Sequence, residues 1–185
     1  HDEDYCVTGI SSEKFEKLFP ESFKRGKVFE VFDLDGKEFA LARTEKKTGT
    51  GHKNFEVTCN SNITIEEDLS RRDITINSMA QDVITGEIID PYGGRKDLQN
   101  HIIKATTSSF KEDPLRVYRA ARFSSKFNFE IEPETLKLMN ELKPELNLLS
   151  AERVFEELRK ALNTDYPENF FNNLRRADVL DVHFI

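Results

Sequence analysis

The spacing of apolar residues changes once along this chain, and that change limits the folds open to it. Up to about residue 105 the pattern is that of strands with short helices; from about Ser109 it is helical. In KVFEVFDLDGKEFALARTE, Val28, Phe32 and Leu34, then Phe39 and Leu41, flank Asp35-Gly36, a strong hairpin signal. QDVITGEIIDPY predicts a second hairpin turning at Thr85-Gly86. YCVTGI is rich in strand formers, and Ser11 or Ser12 can cap a short helix over SSEKFEKLF. KKTGTGHKN is basic and glycine-rich without a period, which predicts a mobile loop. RRDITIN reads as an arginine pair leading into an apolar strand. In the second half, FKEDPLRVYRAARFSSKF, EPETLKLMNELK, SAERVFEELRKALNT and PENFFNNLRRADVL each have helical spacing with Pro, Ser or Glu near the start. The expected organisation is an α+β part over 1–105 followed by an all-α part over 106–185.

At 185 residues and a net charge of −7, the chain does not suit a protein that coats nucleic acid non-specifically. Basic residues are nonetheless concentrated locally, at Arg43, Lys46, Lys47, His52 and Lys53 and again at Arg71, Arg72, Arg116, Arg119 and Arg122. Such patches on an acidic chain fit one phosphate-bearing ligand better than a broad DNA-binding face. No apolar run approaches the roughly 20 residues that span a bilayer, so no membrane association is expected. His1-Asp2-Glu3-Asp4 is the reverse of a basic secretory leader. Cys6 and Cys59, without CxxC spacing, form neither a disulfide framework nor a zinc motif, and a reducing, cytoplasmic setting is expected. The charged start without Met and the apolar Phe184-Ile185 end are expected of a piece of a larger polypeptide.

Three clusters carry chemistry. Asp2 and Asp4 precede a strand, where residues two apart share a face, so both carboxylates stand side by side with Glu3 opposite. Hard oxygens in that arrangement suit Mg²⁺, which takes one or two carboxylates and completes its shell with phosphates; a solvated acidic terminus is the plain alternative. Glu38, on the neighbouring strand EFALAR, can join them or stand exposed. Arg71 and Arg72 cannot share one face, so at most one points into a site; salt bridges to Glu66, Glu67 or Asp68 are the structural alternative. Asp113, Arg116, Arg119 and Arg122 recur every third residue, which on a helix drifts by only about 60° per step and makes one slanted stripe. Arginine's planar fork suits phosphate or base recognition, while Asp113 before Pro114 is also a good helix cap.

Taken in order, DxD, RRDITINSMAQD, IIDPYGG, EDPLRVYRAARF and AERVFEEL resemble the class II tRNA nucleotidyltransferases, the CCA-adding enzymes and their bacterial poly(A) polymerase relatives. HDEDY and FALARTEKKTGTGHKNF look most like the gammaproteobacterial type. The resemblance covers nearly the whole chain. It implies an α+β fold: a polymerase-β-like nucleotidyltransferase head, a mixed sheet with flanking helices and truncated at its N-terminus, followed by an all-α neck. It implies metal binding at Asp2 and Asp4, with Glu38 as a further catalytic carboxylate and Mg²⁺ as the cofactor. Arg72 would contact the nucleotide, Asp113 and Arg116 would read the base, and Arg119 and Arg122 would hold sugar or phosphates. Cytosine and adenine both place a ring-nitrogen acceptor beside an exocyclic amine, so one carboxylate–guanidinium pair suits both and leaves uracil and guanine unmatched.

The function so implied is template-independent addition of CMP and AMP, from CTP and ATP, to the 3′ end of tRNA. A poly(A) polymerase, a CC-only or A-only enzyme, and a catalytically silent RNA-binding module are the alternatives. The family's Gly-rich turn and Arg before DxD, and its tRNA-gripping C-terminal region, are not in this sequence.

Overall fold

The computed structural model describes residues 3–26, 31–47, 55–58 and 60–184, the side chains of 45–47 and 55–57 excepted. Along the chain run β1 (Asp4–Val7), α1 (Ser12–Leu18), β2 (Phe23–Arg25), β3 (Val31–Leu34), β4 (Lys37–Leu41), β5 (Thr44–Lys47), β6 (Phe55–Thr58) and α2 (Ile65–Ser70). Then come β7 (Ala80–Gln81), β8 (Ile88–Ile89), α3 (Gly94–Gln99), β9 (Ile102–Ile103), α4 (Arg116–Phe127), β10 (Glu130–Ile131), α5 (Pro133–Glu141), α6 (Lys143–Leu146), α7 (Ala151–Leu162) and α8 (Glu168–Arg176). These elements divide into two compact units, one of residues 1–48 and 55–69, the other of 49–54 and 70–185. Among the described residues no helix is long and apolar enough to cross a membrane.

The first unit is organised by a four-stranded sheet in the order β1-β4-β3-β2, with β1 parallel to β4 and the other pairs antiparallel. The mixed sheet with a flanking helix is the α+β arrangement expected. Asp35 and Gly36 turn β3 into β4 with φ of 53° and 75°, the left-handed pair that a two-residue hairpin needs. Ser11 caps α1 by accepting a hydrogen bond from the Lys14 N–H at 3.3 Å. Register partners then sort the sheet into two faces. Tyr5, Phe39 and Phe32 fall in line on one face, and Val7 and Leu41 join them two residues on. Phe15 of α1 packs on that face, its ring 4.5 Å from Phe32. Phe15, Phe32 and Leu41 are the buried core of this unit. A separate ribbon, β5 with β6, places Lys46 and Lys47 in a strand, where the sequence suggested a loop. The rest of that predicted loop, 48–54, lies outside the described residues, as do Asp2 and Cys59.

In the second unit α4 packs against α7 and α8 and buries Val117, Tyr118, Ala120 and Ala121. All four helices expected from the sequence form, with the short α6 added between α5 and α7. The second hairpin turns where expected: the Asp82 carboxylate accepts the Ile84 and Thr85 N–H groups, and Gly86 has φ 74°. RRDITIN departs from expectation. Thr75–Asn77 is a turn of 3-10 helix, and only Ile74 makes a strand-like bridge, to Ala105. The cause is local: Asp73 accepts from the Ile74 N–H and the Asn77 amide, offering the backbone a turn in place of a ladder. IIDPYGG braces this turn. Asp90 caps α3 through the Gly94 and Arg95 N–H groups, and Asp97 accepts from the Thr75 hydroxyl at 2.7 Å. A Cβ on Gly94 would sit 2.3 Å from the Thr75 carbonyl oxygen, so only glycine lets the two segments approach this closely.

Near the C-terminal end, Tyr118, Phe170, Phe171, His183 and Phe184 form an aromatic cluster. Burial, with the nearby Asp181 charge, pushes the Tyr118 phenol well above its ordinary range. Its hydroxyl stays protonated and shares a hydrogen bond with His183 Nδ1 at 2.6 Å. Burial also holds the imidazole below its usual 6.5. A base with a depressed folded pKa stabilises the fold above its unfolded pKa, and that contribution is lost as pH falls through the folded value. The thermal midpoint should thus rise between pH 5.5 and 7.5, and His183→Gln should remove most of the rise when melting is followed by circular dichroism.

Candidate active site

On the open face of the first sheet, the register sets Asp4 of β1 beside Glu38 of β4 and Glu38 beside Asp33 of β3. Partners in register point the same way, so three carboxylates cross the sheet in a row on the face opposite α1. Asp33 was not among the sequence candidates; its strand was legible, its register was not. Arg25 of β2 donates to Asp33 at 2.7 Å and lies 3.8 Å from Glu38, tempering the row's charge. On the other face Tyr5 stacks on Phe39 at 4.8 Å, and its hydroxyl donates to Glu3 and accepts from Lys37. These contacts fix β1 against β4 next to Asp4. Asp2 lies outside the described residues. Among the described residues no group of three or more His, Cys, Asp or Glu is placed to hold a metal ion; Asp4 and Glu38 are register partners on neighbouring strands.

The second candidate cluster gathers around α4. Asp113 has extended backbone angles and precedes Pro114, and its Oδ1 accepts the Leu115 N–H at 3.0 Å, so it does cap the helix start. Its Oδ2 accepts from Arg153 of α7 at 2.9 Å. A carboxylate has about four lone-pair positions, so a cap and an ion pair still leave room for a donor from a ligand. Arg116 donates from Nη1 to the Ser109 carbonyl and from Nη2 to the Arg71 carbonyl, both at 2.6 Å. Arg72 reaches the Asn77 carbonyl at 3.4 Å. The RRD segment is thereby gripped from α4.

The remaining arginines of the stripe differ. Arg119 pairs with Asp73 and stays 35% exposed. Arg122 is only 12% exposed, donates to the buried Glu157 of α7 at 2.5 Å and stacks 4.2 Å over the Phe123 ring. Arg153 and Glu157 lie four apart on α7 and so share a flank, which makes α7 a two-point clamp on α4. The Arg153 Nη1 atom is buried without a hydrogen-bond partner among the described residues, beside the Asp113 carboxylate. Sequence reasoning missed Asp73, Arg153 and Glu157. For Glu157 a signal existed: it falls on the same helical flank as the core residues Val154 and Ala161.

The buried pair makes a testable demand. Removing one partner of a buried, hydrogen-bonded ion pair costs about 3–5 kcal/mol, whereas replacing both by apolar groups is near neutral. Urea denaturation of Glu157→Ala should show a loss of that size, and Arg122→Met with Glu157→Leu should restore most of it.

Known proteins place this arrangement. Residues 1–104 match the poly A polymerase head domain, and residues 128–184 match a domain described as the probable RNA and SrmB-binding site of polymerase A. A multifunctional CCA protein from Psychromonas ingrahamii is 46% identical over 99% of this chain and 46% of its own length. A CCA-adding enzyme from Alteromonas mediterranea is 43% identical over 98% of the chain and 47% of its own. The chain thus spans about half the length of the curated relatives it matches. The crystal structure of the Bacillus stearothermophilus CCA-adding enzyme in complex with CTP superposes with a TM-score of 0.76 at 29% identity, over 96% of this chain and 44% of that one. A CCA-adding enzyme complex with ATP gives 0.73 at 30% identity, over 96% and 42%. With the head-domain match covering more than half of its residues, the chain belongs to the poly A polymerase head-domain family.

Proposed function

We propose that the protein carrying this chain is a template-independent tRNA nucleotidyltransferase that adds CMP and AMP, from CTP and ATP, to the tRNA 3′ end. The observation that supports this most strongly is the state of Asp113 and Arg116. Both are held from several directions, and Asp113 keeps unused acceptor positions next to the partnerless Arg153 Nη1. A buried donor without an acceptor is the kind of group a ligand completes. Asp113 then accepts from the exocyclic amine of cytosine or adenine, and Arg116 donates to the adjacent ring nitrogen. Uracil and guanine present the reverse pattern and leave these groups unmatched. Relatives named as CCA-adding enzymes, and neighbours solved with CTP and with ATP, support the same substrates.

In this reading residues 1–105 are the nucleotidyltransferase head and 106–185 the neck that carries the nucleotide-reading helix, and the protein acts in the cytoplasm. Asp4, with Asp2 and Glu38, would hold Mg²⁺; adjacent hard carboxylates with open coordination positions fit that ion. When bound, Mg²⁺ would offset charge on the triphosphate and lower the pKa of the attacking hydroxyl. Arg72 contacts the nucleotide, and the α4 arginines orient it; the chain's own contribution is positioning and fixed charge rather than a covalent intermediate.

The test is to incubate the longest polypeptide that carries this chain with Mg²⁺ and tRNA ending before CCA, supply CTP, ATP or both, and sequence the 3′ ends. CC from CTP alone and CCA from both are expected, with no UMP or GMP. Asp4→Ala should lower the rate by about 10²–10³-fold, and Arg116→Ala should admit UTP and GTP. A run of A from ATP alone would identify a poly(A) polymerase, and no transfer at all would leave an RNA-binding module.

A further inference from the structure

The open face of the first sheet carries a cation as well as its carboxylates. Across that face the register runs Asp4, Glu38, Asp33 and then Phe23 of the edge strand β2. Arg25 lies two residues beyond Phe23, so it shares the face and stands diagonal to Asp33, within reach of a long side chain. Its Nη2 donates to Asp33 Oδ2 at 2.7 Å, and its Nη1 comes 3.8 Å from Glu38 Oε1. One guanidinium thus spans two of the three carboxylates.

The three carboxylates are therefore not equivalent. Asp33 holds a short charge-assisted hydrogen bond, and its side chain is 25% exposed. Glu38 is 56% exposed and beyond hydrogen-bond distance of Arg25, so its ion pair is weak. Asp4 has no hydrogen-bond or ion-pair partner among the described residues. The face is graded, open at Asp4, shared at Glu38 and closed at Asp33. Arg25 itself is 57% exposed and lies opposite the buried core of Phe15, Phe32 and Leu41, so its part is electrostatic rather than one of packing.

Such a grading matters to a divalent ion. Carboxylate oxygens attract a hard cation, and a fixed positive charge beside them repels it. An ion held by Asp4 and Glu38 would draw Glu38 away from Arg25, yet Arg25 would stay nearby because Asp33 retains it. Without the guanidinium the repulsion would vanish, and Asp33 would be released as a further oxygen donor.

We propose that Arg25 is a resident competitor of the divalent cation. Held in place by Asp33, it lowers the affinity of Asp4 and Glu38 for the free ion and keeps Asp33 out of the ligand set. This rests on the metal-binding reading of Asp4 and Glu38 above, and adds a residue outside the ligands that sets how much divalent ion the head demands.

The experiment titrates Mn²⁺, a carboxylate-seeking ion, into the 185-residue chain and counts the free ion by electron paramagnetic resonance. Arg25→Gln should lower the Kd by about three- to tenfold at low ionic strength, a gain that shrinks as salt approaches about 1 M and screens exposed charges. Arg25→Lys keeps the charge and should bind like the unsubstituted chain. Adding Asp33→Asn to Arg25→Gln should bring the Kd back to within about twofold of its starting value. An unchanged or raised Kd in Arg25→Gln would overturn the competitor role and leave the metal site standing. So would an equal gain in Arg25→Lys, a gain indifferent to salt, or a double variant as tight as Arg25→Gln. Asp4→Asn is the control for the site itself. If it leaves Mn²⁺ uptake unchanged, or if neither the unsubstituted chain nor Arg25→Gln takes up the ion, the metal-binding reading fails, and this proposal with it.

Discussion

The pairing of the α4 guanidinium groups with acceptors from other segments is the constraint on which the second unit depends. α4 must bury Val117, Tyr118, Ala120 and Ala121 while its other flank carries three arginines. Charge near a core is costly unless it is paired and hydrogen-bonded. Each arginine meets that condition differently. Arg116 uses the Ser109 and Arg71 carbonyls, Arg119 uses Asp73, and Arg122 uses Glu157. With Arg153 reaching Asp113 from α7, the pairs tie the RRD segment, α4 and α7 into one framework. The same contacts that satisfy the charges also hold their orientations, and orientation is what recognition of a base or a phosphate requires.

The first unit solves a simpler problem by sidedness. Its aromatic face is sealed by α1, so the carboxylates of Asp4, Glu38 and Asp33 are left together on the other face by strand alternation alone. A one-residue slip of β1 against β4 would exchange Asp4 for Tyr5 and destroy both the core and the acidic row. Core packing and the candidate metal face are thus specified by one register, and the Tyr5–Phe39 stack is the contact that enforces it.

Local chemistry was readable from the sequence; long-range pairing was not. The Asp35-Gly36 turn, the Ser11 cap, the Asp82–Gly86 turn and the four long helices follow from residues within a few positions of one another. Ile74, Thr75 and Ile76 suggest a strand after Arg72, but the Asp73 carboxylate stabilises a turn there instead. The partners of the arginine stripe lie 35 to 46 residues away, at Glu157, Arg153 and Asp73. Nothing in a single sequence links such positions, so the stripe was legible as a row of cations and its internal division was not. Motif order carried the family; the register of Asp4 with Glu38 needed coordinates.

In the proposed reading Arg116 and Arg119 face a nucleotide, while Arg122 is turned inward to Glu157 and Phe123. Guanidinium Nε–Hε signals report each arginine separately by NMR. On titration with CTP and Mg²⁺, the Arg116 and Arg119 signals should shift together while Arg122 stays fixed. A dominant shift at Arg122, or CTP binding that leaves all three unmoved, would contradict the account.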